Sequence, residues 1–277
     1  MKRIVACRCS TSFKSVIKRS IMSPIFPHGY ATNKDNCSAE SEIFQCEEEH
    51  LQFLESISIL PKGFQVGTSS FDFNPVELPT MDANMNMTVI SLDKPSKNWA
   101  ALFTKNAFPG APIIYGRKLL QSGKSLKGIV INNKISNVSS SSDGVQDAKD
   151  VANACLHFLN NNNNSNNTMT VEDINTCVLP SSTGIIGWRL PTDKMIENLK
   201  LACSLNNIQS KSILPAAKAI MTTDMFAKVR SVNIELNNES YKLVGIAKGA
   251  GMVEPNMATM LVYLLTDAPI DQNTLQK

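Results

Sequence analysis

"KGAGMVEPNMATML", Lys248 to Leu261, sets two glycines, a proline and an asparagine ahead of a small polar residue, Thr259. An unbroken apolar run from Met260 to Leu265 follows at once. That run predicts a strand buried on both faces. Gly249 and Gly251 permit positive φ and close backbone approach, and Pro255 restrains the turn that precedes the strand. The stretch reads as a plain turn before a strand, or as a loop that presents Thr259 as a nucleophile. A glycine pair of this kind also cradles phosphate in other proteins.

A nucleophilic threonine needs a base. The chain has 3 histidines, His28, His50 and His157. Two precede the region where order is expected, and His157 falls on a predicted helix, so a Ser-His-Asp or Cys-His arrangement has little material. An economical base is the α-amine of Thr259 itself. Cleavage of the Ala258–Thr259 bond would free that amine, whose pKa near ~8 leaves a useful neutral fraction at neutral pH. It could then take the hydroxyl proton directly or through a water.

The surrounding composition bounds the rest. The chain has 277 residues, 43% of them apolar, and a net charge of +3. The charge is uneven. Seven basic residues (Lys2, Arg3, Arg8, Lys14, Lys18, Arg19, Lys34) precede the first acid, Asp35, which leaves −4 for the remainder. The basic character therefore belongs to a leader, not to a nucleic-acid surface. An acid-free start rich in Arg, Lys and Ser has the composition of an organellar transit peptide. Residues 1–50 are read as transit peptide and polar linker, with order beginning near Leu60. No apolar run reaches about 18 residues, so no membrane span is expected. Seven cysteines without a CxxC or CxxH spacing indicate free thiols and no metal site. Cys155, Cys177 and Cys203 sit among apolar neighbours and read as small buried hydrophobes.

Periodicity predicts strands at Met85–Asp93 and Lys127–Asn133, a strand ending in a Ser/Thr/Gly loop within residues 174–187, and a hairpin turning at Asn237–Ser240. In the hairpin, Val232, Ile234 and Leu236 are expected to alternate inward. Pro109, Gly110 and Pro112 forbid a continuous helix through residues 100–116. Helices are predicted at 144–159 and 193–203, the second with Asp193 as N-cap. The asparagine tract Asn160–Asn167 reads as a flexible insertion. Strands and helices mix, so the class is α/β (α+β). The final strand sits close to the chain's end although a buried strand needs partners on both sides, which suggests that the sequence stops short of the complete protein.

Four stretches in order resemble the ornithine acetyltransferase (ArgJ; glutamate N-acetyltransferase) family. "GIAKGAGMVEPNMATML" is similar to that family's cleavage-site motif. "LFTKNAFPGAPI", "PSSTGIIGWRLPTDKM" and "ILPAAKAIMTTD" resemble its other signature segments, and the likeness spans roughly residues 60–268. The resemblance implies a layered ArgJ/DmpA-like sheet-and-helix fold with an N-terminal-nucleophile type of site. It implies that Thr259 is the nucleophile and acetyl carrier, freed by cleavage after Ala258. It makes Thr183 and Gly184 the oxyanion hole, and Thr222, Lys248 and Thr259 the substrate contacts. Residues 51–258 would form the α-chain, and 259–277 the start of a β-chain that continues in the family. The implied reaction moves acetyl from N-acetylornithine to glutamate in arginine biosynthesis, in the mitochondrial matrix. No cofactor is implied, although acetyl-CoA serves some members as donor. The implied assembly is an α/β heterodimer, paired into a heterotetramer.

In this chain the family's asparagine- and glycine-rich stretch is replaced by "NNKISNVSSSSDG", which keeps Asn132. A segment after "KGFQVG" is replaced by "TSSFDFNPVE". Three other readings stay open: an N-terminal-nucleophile aminopeptidase or amidase, an inactive truncated homologue, and a phosphate-binding module. The last lacks both the Walker spacing and the strand–GxGxxG–helix order.

Overall fold

The computed structural model describes residues 3–5, 44–140, 143–161, 175–251 and 260–277. Among them lie strands β1 (Arg3–Val5), β2 (Phe64–Phe73), β3 (Ala83–Ser96), β4 (Trp99–Ala100), β5 (Ser125–Asn132), β6 (Thr176–Ser182), β7 (Lys228–Leu236), β8 (Glu239–Lys248) and β9 (Leu261–Thr266). The helices are α1 (Glu47–Ile57), α2 (Ala111–Gln121), α3 (Gly144–Asn161), α4 (Thr192–Ala202), α5 (Leu214–Ala219) and α6 (Gln272–Gln276).

The strands form two sheets, ordered β4-β1-β9-β8-β7 and β2-β3-β5-β6. Side-chain alternation decides what each sheet faces. On β3, Met85, Met87 and Val89 join a core with Val151, Cys155 and Leu159 of α3 and Met195 and Leu199 of α4. Ile90 and Leu92 turn to the opposite side. There they meet Ile129 and Ile131 of β5, Val244 and Ile246 of β8, and Tyr263 and Leu265 of β9. The layers are therefore α3/α4, the four-stranded sheet, a shared core, and the five-stranded sheet. The mixed α/β class stands.

β5 pairs β3 antiparallel and β6 parallel, and Leu126 to Asn132 are buried throughout. This is the near-continuous apolar pattern expected of an interior strand. β6 lies at the sheet edge, where Pro180 costs no ladder bond. β9 runs between β8 and β1, with Lys248 opposite Leu261.

Several sequence expectations need adjustment. Helix α1 starts at Glu47, ahead of the expected onset of order near Leu60. It buries Leu54, and His50 packs edge-on against Phe226, with ring centroids 5.3 Å apart. Strand β1 falls inside the segment read as leader. Pro109 and Gly110 do end the preceding stretch, but Pro112 then opens α2 from its first turn. Proline is tolerated there because the first helical N–H groups have no intrahelical acceptor. Asp193 is not the N-cap of α4. Pro191 holds that place, and Asp193 lies in the first turn, where its charge favours the helix dipole. The Asn237–Asn238 turn takes positive φ at both residues, as a two-residue hairpin requires. Leu236 is exposed rather than inward, because the hairpin tip extends past the core. Cys155, Cys177 and Cys203 are buried, as read. Asn162–Asn167 lie outside the described residues.

Candidate active site

Three chain segments meet at one mouth of the molecule: the end of β6, the end of β8, and the loop after α5. Thr183 follows β6, and its N–H donates to the Asn132 carbonyl at 3.1 Å. Its neighbour Ile185 donates to the Lys134 carbonyl at 2.7 Å. Between them, no partner takes the Gly184 N–H among the described residues. Gly184 sits at φ +128°, and a Cβ there would lie 2.2 Å from the Lys134 carbonyl group. Only glycine fits, by backbone angle and by space.

Asn132 braces this turn. Its carboxamide oxygen accepts from Ser182 Oγ at 2.6 Å, and its nitrogen donates to the Ile135 carbonyl at 2.8 Å. The segment 134–138 runs alongside. Ser136 donates to the Ile185 carbonyl from both its N–H and its hydroxyl, and Gly187 donates to the Val138 carbonyl. The departure from the family's asparagine-rich wording thus falls in a loop that props the Thr183–Gly184 turn.

Lys248, the last residue of β8, points its ammonium at this turn. Lys248 Nζ donates to Thr183 Oγ1 at 3.1 Å, and both residues are nearly buried, at 4% and 5% exposure. Because the threonine oxygen accepts there, its own proton remains available to another acceptor. Burial lowers the Lys248 pKa, the nearby Asp224 carboxylate raises it, and Lys228 lowers it further. The net direction is down.

Thr222 is exposed on the loop after α5, and its N–H lies 3.4 Å from Asp224 Oδ2. Asp224 also accepts the Gly249 N–H at 2.8 Å and the Lys228 ammonium. Asn133 ties the same loop to the four-stranded sheet. Its Nδ2 donates to the Met221 carbonyl at 3.0 Å, and its Oδ1 accepts the Asn86 N–H at 2.7 Å. Thr183, Gly184, Lys248 and Thr222 are therefore brought to one mouth. Ala258 and Thr259 lie outside the described residues, two to three positions before Leu261, which pairs with Lys248.

Sequence reading did not assign Asp224 or Asn133 a role. Asp224 closes the stretch "ILPAAKAIMTTD", but its partners Lys228 and Gly249 lie on β7 and just past β8. His157 is a surface residue of α3, bonded to Asn161 at 2.9 Å. Among the described residues, no group of three His, Cys, Asp or Glu could hold a metal ion.

A threonine hydroxyl that accepts from a buried lysine, beside a glycine N–H that has no partner among the described residues, lies where two sheets face each other in a layered α/β protein. The comparisons with known proteins agree with that class. Residues 76–277 match the model of the ArgJ family, and the chain belongs to that family. It is 33% identical over 226 residues to the mitochondrial arginine biosynthesis bifunctional protein ArgJ of Yarrowia lipolytica, covering 81% of this chain and 49% of that protein. It is 36% identical over 225 residues to the protein of the same name from Fusarium vanettenii, covering 79% and 46%. The chain thus spans about half the length of the curated relatives it matches. Two solved structures share the fold. The ornithine acetyltransferase of Mycobacterium tuberculosis, complexed with ornithine, superposes with a TM-score of 0.55 at 22% identity, over 74% of this chain and 97% of that one. The arginine biosynthesis bifunctional protein argJ of Bacillus halodurans gives 0.51 at 20% identity, over 75% and 94%.

Proposed function

We propose that the protein is a self-cleaving acetyltransferase of arginine biosynthesis that carries acetyl on Thr259. The observation that carries the proposal is the Lys248–Thr183 bond beside the unpartnered Gly184 N–H, in a chain of this family. Acyl transfer from an amide passes through a tetrahedral oxyanion. Donors fixed toward it are worth about 3 kcal/mol each. The Thr183 hydroxyl proton and the Gly184 N–H are such donors, and Lys248 strengthens the first by polarising it.

Maturation begins when Thr259 Oγ attacks the Ala258 carbonyl carbon. The peptide C–N bond breaks, an ester joins Ala258 to the threonine oxygen, and water hydrolyses it. The products are the Ala258 carboxylate and a free Thr259 amine. In turnover that amine accepts the Thr259 hydroxyl proton while the oxygen attacks the acetyl carbonyl of N-acetylornithine. The proton passes to the leaving amine of ornithine. Glutamate's amine then attacks the acetyl-threonine ester and restores the hydroxyl. Thr222 and the remaining N–H groups of Lys248 bind polar groups of the substrates.

On this reading residues 1–50 are leader and linker, 51–258 the α-chain, and 259–277 the start of the β-chain. The two chains stay together as an α/β unit that pairs into a heterotetramer, in the mitochondrial matrix. No cofactor is required, and acetyl-CoA is a candidate second donor. The test is to trap the carrier. With N-acetylornithine present and glutamate absent, the fragment beginning at Thr259 should gain ~42 Da. Double-reciprocal lines for the two substrates should run parallel. Intersecting lines with no acetylated fragment would replace the carrier mechanism with direct transfer.

A further inference from the structure

Asp224 sits where the loop after α5 meets the end of β8. Its carboxylate is fully buried, although Lys228, its ion-pair partner, has a side chain 41% exposed. An ion pair with one partner in solvent contributes little by itself. The buried carboxylate's other acceptor contacts are backbone N–H groups, those of Gly249 and Thr222. The adjacent Thr223 hydroxyl donates to the Ala250 carbonyl at 3.3 Å. Two successive residues of one loop thus grip two successive residues of the other. The gripped pair follows Lys248 and opens the segment that leads to Thr259. Gly249 has φ +143°, so the chain bends there in a conformation that residues with side chains rarely adopt.

We propose that Asp224 is a positioning residue: it ties the Thr222 loop to the Lys248–Gly249 strand end and sets the stem of the segment that is cleaved before Thr259. The proposal rests on the function proposed above. The charge of the same carboxylate raises the Lys248 pKa. Among the described residues, the charged groups that act on that ammonium are Asp224 from the loop after α5 and Lys228 from β7. Asp224 therefore acts on the site in two ways, through the backbone of Gly249 and through the charge of Lys248. An inert structural strut would do only the first.

The experiment uses the full-length protein with Asp224→Asn and, as a control, Lys228→Met. Amide exchange in β2 and β3 reports whether each variant folds. Asp224→Asn should slow chain splitting about 10- to 100-fold, the scale of a lost charge-assisted hydrogen bond. It should speed exchange at Gly249 and move the alkaline limb of the transfer rate to lower pH, since Lys248 loses its counter-charge. Lys228→Met should split within about threefold of wild type, because the backbone contacts of Asp224 persist. Wild-type splitting in Asp224→Asn, or slowed splitting with an unmoved alkaline limb, would overturn the positioning role. If the wild-type chain neither splits nor transfers acetyl, the proposed function fails. Gly249 exchange then decides the Asp224 inference alone: acceleration upholds it, and unchanged protection overturns it.

Discussion

Lys248 Nζ reaches Thr183 Oγ1 at 3.1 Å across 65 residues of sequence and joins the ends of strands from two different sheets. The bond spans the mouth of the shared core, where the two sheets face each other. It gives the buried Lys248 ammonium a hydroxyl acceptor on the facing sheet's strand end.

A hydroxyl used mainly in the transition state should affect kcat more than KM. Thr183→Ala should therefore lower kcat on the order of 10²-fold with a small rise in KM. Lys248→Met should slow both half-reactions if it acts through Thr183, and should raise chiefly KM if it only grips substrate. Steady-state kinetics of both variants separates these. An unchanged kcat in Thr183→Ala would remove that residue from the chemistry.

Gly184→Ala should damage the fold of the turn as well as activity. Its φ of +128° and the 2.2 Å approach of the Lys134 carbonyl leave a methyl group no place. The cost should exceed about 1 kcal/mol, visible as a lower melting temperature. A variant that melts with wild type would mean that the turn is looser than described.

The Asp224 carboxyl is subject to burial, which raises its pKa. The Lys228 hydrogen bond, the Gly249 N–H and the Thr222 N–H outweigh this and lower it overall. A group with a depressed folded pKa stabilises the fold above its unfolded value, near ~4, and loses that contribution as pH falls through the folded value. Asp224→Asn should therefore be less stable than wild type at neutral pH. The gap should close as pH falls from about 5 toward 2. Urea midpoints measured across that range test it, and a pH-independent gap would contradict it.

Residues 1–50, fused to a fluorescent reporter, should carry it into mitochondria, because the first 34 residues hold seven basic side chains and no acid. Diffuse cytosolic signal would refute the leader.

Much of this is legible in the amino-acid sequence. The strands at Met85–Asp93 and Lys127–Asn133 follow from apolar runs that two facing cores require. Thr183, Gly184 and Lys248 stand in stretches whose wording resembles a family. What could not be read was the bracing. Asp224 finds Gly249 25 residues further on, and Asn133 finds Met221 88 residues away. Polar partnerships at such range follow the folded path of the chain and leave no periodic trace. The Asp193 cap misled for a related reason. Capping depends on the backbone angles at the helix start, and the cap of α4 falls two residues earlier, at Pro191.

On the proposed mechanism, Thr259 works as a freed N-terminus. The most direct test is intact mass and N-terminal sequencing of the purified full-length protein. Two fragments are expected, one ending at Ala258 and the other beginning Thr-Met-Leu-Val. A single uncut chain that still transfers acetyl to glutamate would contradict it.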